Sequence, residues 1–412
     1  MQATIEDYRW LVGREAASWL AETGQADCHP LKALDLLRRD LPPQRAALVV
    51  EQLQLRRRAA GKFPAAAQMF FTPLGLQQAS GQVVASHKAQ RFRGATRVVD
   101  LCCGIGGDLL SLAPSADLAT PRPHVRGVDR DPVALLLAQA NLRALNRDAC
   151  LQSGDVGQVD LSAGDRWHID PDRRKQGRRT TTLEIFEPDL AALDALLKTN
   201  ENAAIKLAPA TTAPDPWLNA AELEWISWRQ ECRQQVAWFG GLARWEGKRC
   251  AGLRRATWLS GDGGQHSSIS GLPHAPHPLV QRPARFVFDI DPAVRAAHLT
   301  GAVATHFRLA GLGTRGAYLT GDQPLLDGLL ACFEVLEVLP FDFRRLKRLL
   351  KTHRIGQLEV KKRAVPLDAF AAAHRLPTPG DRKATLLLTR LENHVAAILA
   401  RRQDGLASSG SG

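Results

Sequence analysis

The segment Val98-Val99-Asp100-Leu101-Cys102-Cys103-Gly104-Ile105-Gly106-Gly107-Asp108 constrains this chain more than any other. An apolar run carrying Asp100 near its end opens directly into Gly-x-Gly-Gly, and a helix follows. Glycines at such a turn let the backbone take positive φ and pass close to a ligand. In an open α/β sheet, ligands bind at the carboxyl ends of the strands. The turn is not a dinucleotide fingerprint, because Leu109 stands where a third glycine would fall, and no Walker lysine is present. A carboxylate just before the glycines repels a pyrophosphate and favours a cationic amino group, directly or through water. S-adenosylmethionine, with an amino-acid moiety and no phosphate, answers that description.

The chain after this point alternates β-rich and helical runs. Val98–Cys103, Val125–Asp129, Cys150–Asp155, Trp167–Asp170 and Ala203–Ala208 read as strands, with helices over Pro132–Leu145 and Leu190–Thr199. That alternation predicts a parallel sheet covered on both faces. Asp129 then ends the second strand, where a carboxylate can accept both hydroxyls of a ribose. Asp155 ends the third and can accept from an adenine amino group. Each acid could also simply cap its strand. Two later runs, Leu223–Phe239 and Arg254–Leu259, lack a crossover helix and suggest an antiparallel pair at the sheet edge.

Residues 1–85 read as a helical region, with Tyr8, Trp10, Leu11, Ala17, Trp19 and Leu20 near a 3.6 period. A second helix fits Leu31–Leu41, and a third, after Pro42-Pro43, ends in Arg56-Arg57-Arg58, a solvated helix end or a phosphate contact. Residues 86–262 form the ligand-binding domain. The Gly-, Ser-, His- and Pro-rich stretch 263–284 reads as a linker. A compact region follows at 285–402, then a disordered tail at 403–412.

Composition narrows the class. At 412 residues the chain is long enough for two or three domains. No apolar stretch approaches the ~18 residues of a membrane span, and the acidic start Glu6-Asp7 does not resemble a secretory signal, so a cytoplasmic protein without a membrane partner is expected. The seven cysteines are odd in number and form no CxxC pair, so neither a disulfide framework nor a zinc ribbon is indicated, and reduced thiols are expected. His266, His274 and His277 have no metal-site spacing, so no metal is expected. A net charge of +12 suits a polyanionic partner or a basic surface with no partner.

The ordered motifs resemble one family. Asp100 to Asp108 is similar to motif I of class I S-adenosylmethionine-dependent methyltransferases. The upstream stretch Phe70-Phe71-Thr72, Leu76-Gln77-Gln78-Ala79-Ser80, Val84-Ala85 and Arg91-Phe92 resembles a subgroup with a C-terminal THUMP-like domain. So do Ile169-Asp170-Pro171-Asp172-Arg173-Arg174 and Ile205-Lys206-Leu207-Ala208-Pro209. Near the C-terminus, Phe333–Glu337, Val360–Arg363 and Gly380–Leu388 match the THUMP-like part. The resemblance covers about 65–395. It implies a Rossmann-like α/β methyltransferase sheet with an N-terminal helical region and a C-terminal α+β THUMP-like domain. It implies S-adenosylmethionine as cofactor, held by Asp100, Cys102, Gly104, Gly106, Asp129, Arg130, Asp155 and Val156. It assigns Asp170, Pro171 and Arg173 to catalysis, and Gln78, Arg174, Lys206, Lys361 and Lys362 to the substrate.

Methyl transfer from a sulfonium asks mainly for alignment of nucleophile, methyl carbon and sulfur. Many amine methyltransferases place Asp/Asn-Pro-Pro-aromatic after the fourth strand. Here Asp170-Pro171-Asp172-Arg173 stands there, without the aromatic. Asp170 could orient an amine, and the Arg173 guanidinium could stack on a base or bind phosphate. Arg173, Arg174, Lys175, Arg178 and Arg179 make a cationic loop, and Lys206 either faces substrate or pairs with an acid such as Asp170. Arg344, Arg345, Lys347, Arg348 and Lys351 share a predicted helix, and THUMP-like domains resemble RNA-binding modules. The expectation is methylation of a base, at an exocyclic amine or ring nitrogen, in an RNA such as tRNA or rRNA. A small-molecule or protein methyltransferase, or a non-catalytic RNA-binding protein on the same fold, stays open.

Overall fold

The computed structural model describes residues 3–403 apart from 27–28, 118–121, 162–165, 176–177, 314–315, 367, 369–375 and 377–379. The expected disordered tail, 403–412, lies outside the described residues from 404 onward. The chain divides into two compact units, 1–221 with 236–251, and 222–235 with 252–412.

In the first unit five parallel strands carry the site: β1 (Arg97–Leu101), β2 (His124–Asp129), β3 (Cys150–Ser153), β4 (Arg166–Ile169) and β5 (Ala203–Leu207). Their order is β5-β4-β1-β2-β3. Val98 to Leu101 on β1 and all of β5 are buried, as expected of strands covered on both faces. β1 is central, so Asp100 has Gly127 of β2 on one side and His168 of β4 on the other. The helix Pro132–Ala144 starts on an Asp131 cap, whose carboxylate accepts from the Val133 N–H at 2.8 Å, with Pro132 in its first turn.

The N-terminal periodicity hides a break. It divides into helices Ile5–Leu11 and Arg14–Gln25, followed by Pro30–Leu37 and Pro43–Ala59. Trp10, Leu11, Ala16, Leu20, Leu37, Ala46 and Val49 form their common core. Two buried amides tie this layer to the glycine turn. Gln52 donates to the Met69 carbonyl (3.2 Å) and accepts from the Phe71 N–H (3.1 Å). Asn141 accepts from the Phe70 N–H (2.7 Å) and donates to the carbonyls of Phe70 (3.1 Å) and Ile105 (3.0 Å). The short helices Pro73–Gln78 and Gln82–Ala89 follow, leading the chain along the turn.

Two expectations change where the chain passes into the second unit. The run Leu223–Phe239 is not one strand. It breaks at Arg229-Gln230, both at positive φ, into strands Glu222–Trp228 and Glu231–Trp238. Arg254–Leu259 runs parallel to Glu222–Trp228, not antiparallel. Its antiparallel neighbour is His266–Gly271, which begins within the stretch read as a linker; Leu279–Val280 is also a strand there. Serine-rich and proline-rich composition conceals the first of these strands because its pairing comes from the backbone.

The rest of this unit is an eight-stranded sheet. Its order is Leu279–Val280, Ala310–Leu312, Tyr318–Gly321, Phe286–Ile290, Leu330–Pro340, His394–Arg402, Arg382–Leu391 and Ile355–Lys362. The helix Phe343–Thr352 buries Leu346 and Leu350 against Ile355, Leu386, Leu388 and Leu399. Its Arg344, Arg345, Lys347, Arg348 and Lys351 are all exposed, as the 3.6 period requires when every cation sits off the apolar stripe.

Candidate active site

A cleft of about 370 Å³ opens at the carboxyl ends of β1, β2 and β4, within the range of small-ligand sites. Its floor is the turn after β1. Cys102, Gly104 and Gly106 all have positive φ, at 55°, 55° and 93°. A side chain on Gly104 would meet no atom within 4 Å, so the turn leaves open space where a Cβ would stand. Gly107 has the opposite reason to be glycine: a Cβ there would lie 2.8 Å from the Ala79 Cβ and 2.9 Å from the Ser80 nitrogen. Gly106 does not line the cleft. A Cβ there would face Leu110 and Ala138, so it serves the packing of the turn on the neighbouring helix.

The acids at the strand ends line this cleft together. Asp129 Oδ2 accepts from the Gly104 N–H at 2.8 Å and Oδ1 from the Asp131 N–H at 2.9 Å, which fixes the glycine turn to β2. Asp155 is exposed at the rim and accepts from the Gly157 N–H at 2.7 Å, beside Val156. Arg130 also lines the rim, paired with Glu187. Cys102 lines the floor; burial, then the nearby Asp129, pushes its thiol well above the usual range, so it stays protonated.

Asp100 is fully buried beneath the floor. Its Oδ1 lies 2.7 Å from His168 Nδ1, and its Oδ2 has no hydrogen-bond partner. Burial raises its pKa, an effect partly offset by His168. Behind His168 stand residues to which the sequence reading gave no role. Lys88 Nζ lies 3.2 Å from His168 Nε2 and 2.7 Å from Asp108 Oδ1, and Ser80 donates to Asp108 Oδ2 at 2.7 Å. Burial opposes ionisation of Asp108, yet the neighbouring cations, Lys88 first, outweigh it and hold the carboxyl well below its usual range. Burial pulls the Lys88 pKa down, while Asp108 pushes it back.

Farther along the same cleft, Asp170 and Pro171 follow β4, and Lys206 on β5 pairs with Asp170 Oδ2. Lys206 therefore takes the paired alternative. It also donates to the Gln78 carbonyl at 3.4 Å, which brings Gln78 to the cleft by its backbone. Arg173 lines the mouth. The loop beyond it is a small hairpin, Arg174–Lys175 with Arg178–Arg179, and the Arg174 side chain lies outside the described ones. Lys361 and Lys362 belong to the second unit. There Lys361 is mostly buried and paired with Asp289 at 3.2 Å, and Lys362 is exposed. No group of metal-ligating side chains occurs among the described residues. No helix of the described residues is long and apolar enough to cross a membrane.

Comparison with known proteins decides what this cleft serves. An uncharacterized S-adenosylmethionine-dependent methyltransferase of Mycobacterium tuberculosis (strain H37Rv) is 34% identical over 371 residues, covering 87% of this chain and 97% of that protein. The chain belongs to the S-adenosylmethionine-dependent methyltransferases. Its counterpart from M. tuberculosis strain CDC 1551 matches equally. A crystal structure of a proposed methyltransferase from Porphyromonas gingivalis W83 shares the fold, with a TM-score of 0.75 at 22% identity, covering 94% of this chain and 99% of that one. Residues 330–402 match the THUMP domain-like family.

The methyltransferase is thus an enzyme of class I using S-adenosylmethionine, and its cleft fits that cofactor. The unpartnered Asp100 Oδ2 suits the cofactor's cationic amino-acid end. The space above Gly104 suits its close approach to the backbone.

Proposed function

We propose that this methyltransferase modifies a base nitrogen in a structured RNA. The observation that carries the reading is the part of the cleft farther along from Asp100. There the Asp170-Pro171 turn, its carboxylate paired with Lys206, meets Arg173 at the mouth. Asp100, Cys102 and Gly104 hold the amino-acid end of the cofactor, and Asp129, Arg130, Asp155 and Val156 its nucleoside. S-adenosylmethionine supplies an electrophilic methyl group. Asp170 accepts an N–H of the acceptor nitrogen and leaves its lone pair free for attack, while Pro171 shapes the turn that holds it. Lys206 holds the Asp170 carboxylate in place through Oδ2. Arg173 meets the base or a phosphate at the mouth.

The THUMP-like match at 330–402 and the exposed cations of Phe343–Thr352 support an RNA acceptor. A small-molecule or protein acceptor would give those cations no role. The deciding experiment is transfer of labelled methyl from the cofactor to total RNA from cells lacking this enzyme, followed by nucleoside analysis. A single labelled nucleoside is expected. Intact cofactor binding with no labelled RNA would sink the RNA reading.

A further inference from the structure

The buried groups beneath the cleft form one connected chain whose proton positions can be worked out. Ser80 donates to Asp108 Oδ2 (2.7 Å), and Lys88 meets Asp108 Oδ1 (2.7 Å). Lys88 also reaches His168 Nε2 (3.2 Å). An ammonium has only donors, so Nε2 must be the accepting nitrogen of the ring. The proton then sits on Nδ1, which donates to Asp100 Oδ1 at 2.7 Å. With His168 neutral, Lys88 cancels Asp108, and the negative charge of Asp100 is left over. Its second oxygen is buried without a partner. A buried carboxylate with one open oxygen is an unfavourable arrangement unless a cation completes it.

We infer that His168, held in one tautomer by Lys88, is a positioning residue that keeps Asp100 ionised and its free oxygen turned to the ammonium group of the cofactor. Lys88 acts through His168 and does not line the cleft. The titratable groups facing Asp100 are His168 from β4, Lys88 from the helix Gln82–Ala89, Asp108 after the glycine turn, and Cys102 and Cys103 at its start. Lys206 and Asp170 stand farther along, beside Lys88. The inference rests on placing the amino-acid end of the cofactor over Asp100, and it is independent of whether the acceptor is RNA.

Its test compares two ligands by calorimetry. S-adenosylhomocysteine carries the ammonium group; 5′-methylthioadenosine carries the nucleoside and thioether without the amino acid. His168→Leu removes the donor to Asp100, and the affinity for S-adenosylhomocysteine should fall about tenfold or more, as for loss of a charge-assisted hydrogen bond. Binding of 5′-methylthioadenosine should change by less than about twofold on the same principle, since it makes no such bond. His168→Asn places an amide N–H near the Nδ1 position and should restore most of the loss.

Equal weakening of both ligands would mean that His168 only supports the fold, and no weakening of either would mean that Asp100 does not need it. Should His168→Leu fail to fold, the unaltered protein gives an independent reading. Its preference for S-adenosylhomocysteine over 5′-methylthioadenosine should decline on acidification, starting above the range of an exposed carboxylate, because Asp100 becomes protonated. A preference that stays flat with pH overturns the inference.

Discussion

Lys206 Nζ donates to Asp170 Oδ2, and the two residues directly follow the register pair Ile169–Ile205 of the adjacent strands β4 and β5. Parallel neighbours bring equivalent positions side by side, so a carboxylate ending one strand and a lysine on the next meet at the wall of the cleft. The pair leaves Asp170 with one oxygen committed and holds it at a fixed angle. Asp100 lies on β1, across β4 from Lys206, and serves another part of the same cleft.

That division of labour predicts a split in measured parameters. Asp170→Ala and Lys206→Met should each lower kcat by about a hundredfold, the usual scale for a group that orients a proton-bearing reactant. Their calorimetric cofactor affinity should stay within about twofold, as no cofactor contact is removed. Asp100→Ala should do the reverse and abolish measurable cofactor binding. Equal loss of cofactor affinity in Asp170→Ala and Asp100→Ala would contradict the assigned roles.

The two glycines of the turn should fail differently. Gly104→Ala puts a Cβ into the open cleft at a φ of 55°, a strain of about 1–2 kcal/mol. The protein should remain folded, with weakened cofactor binding. Gly107→Val drives a side chain into Ala79 and the Ser80 backbone. Here thermal stability should fall even without cofactor, by about 2 kcal/mol or more as for an overpacked core. A thermal melt of each apoprotein, paired with a titration, distinguishes the two.

A buried acid outside the cleft gives a pH-dependent stability. Asp291, in the second unit, has its pKa raised to about 6, because burial outweighs its hydrogen bonds to Ser227 and the Ala293 N–H. A carboxyl with a folded pKa above its unfolded value binds a proton on folding. It therefore favours the fold at low pH, and that contribution is lost as pH rises from about 4 to about 6. Asp291→Asn keeps the cap on the Ala293 N–H and removes the charge. The variant should be more stable than the parent at pH 7, by up to about 3 kcal/mol in denaturant unfolding, and show little difference near pH 4. A difference of the same size at both values would show that Asp291 ionisation is not the cause.

The helix Phe343–Thr352 offers a separate test of the RNA reading. Replacing Arg344, Lys347 and Arg348 by Gln should weaken RNA binding uniformly across sequences. The slope of log affinity against log salt should become shallower by about 0.7 for each phosphate no longer neutralised. Thermal stability should barely move, because the three side chains are exposed. An unchanged salt slope would remove this helix from the RNA interface.

The sequence by itself determined whatever depends on neighbours along the chain. The strand–glycine turn after Val98 is legible because its apolar run, its acid and its glycines are contiguous. Asp129 and Asp155 are legible because they follow strands of the same alternating pattern. The break at Val12-Gly13 was obscured because the apolar spacing continues across it, and the parallel pairing of Arg254–Leu259 with Glu222–Trp228 is a choice of partner that its own residues do not encode. Tertiary structure alone decided the chemistry beneath the cleft. Asp100 and Asp108 share one motif, but Ser80, Lys88 and His168 come from other segments, and no local spacing links these to it. They meet because β4 lies beside β1, with Asp100 opposite His168, while the tight approach at Gly107 lets the segment carrying Ser80 close over the turn. Burial then does what sequence proximity cannot: it removes water from these charges, so that each ionisable group depends on the others for a partner.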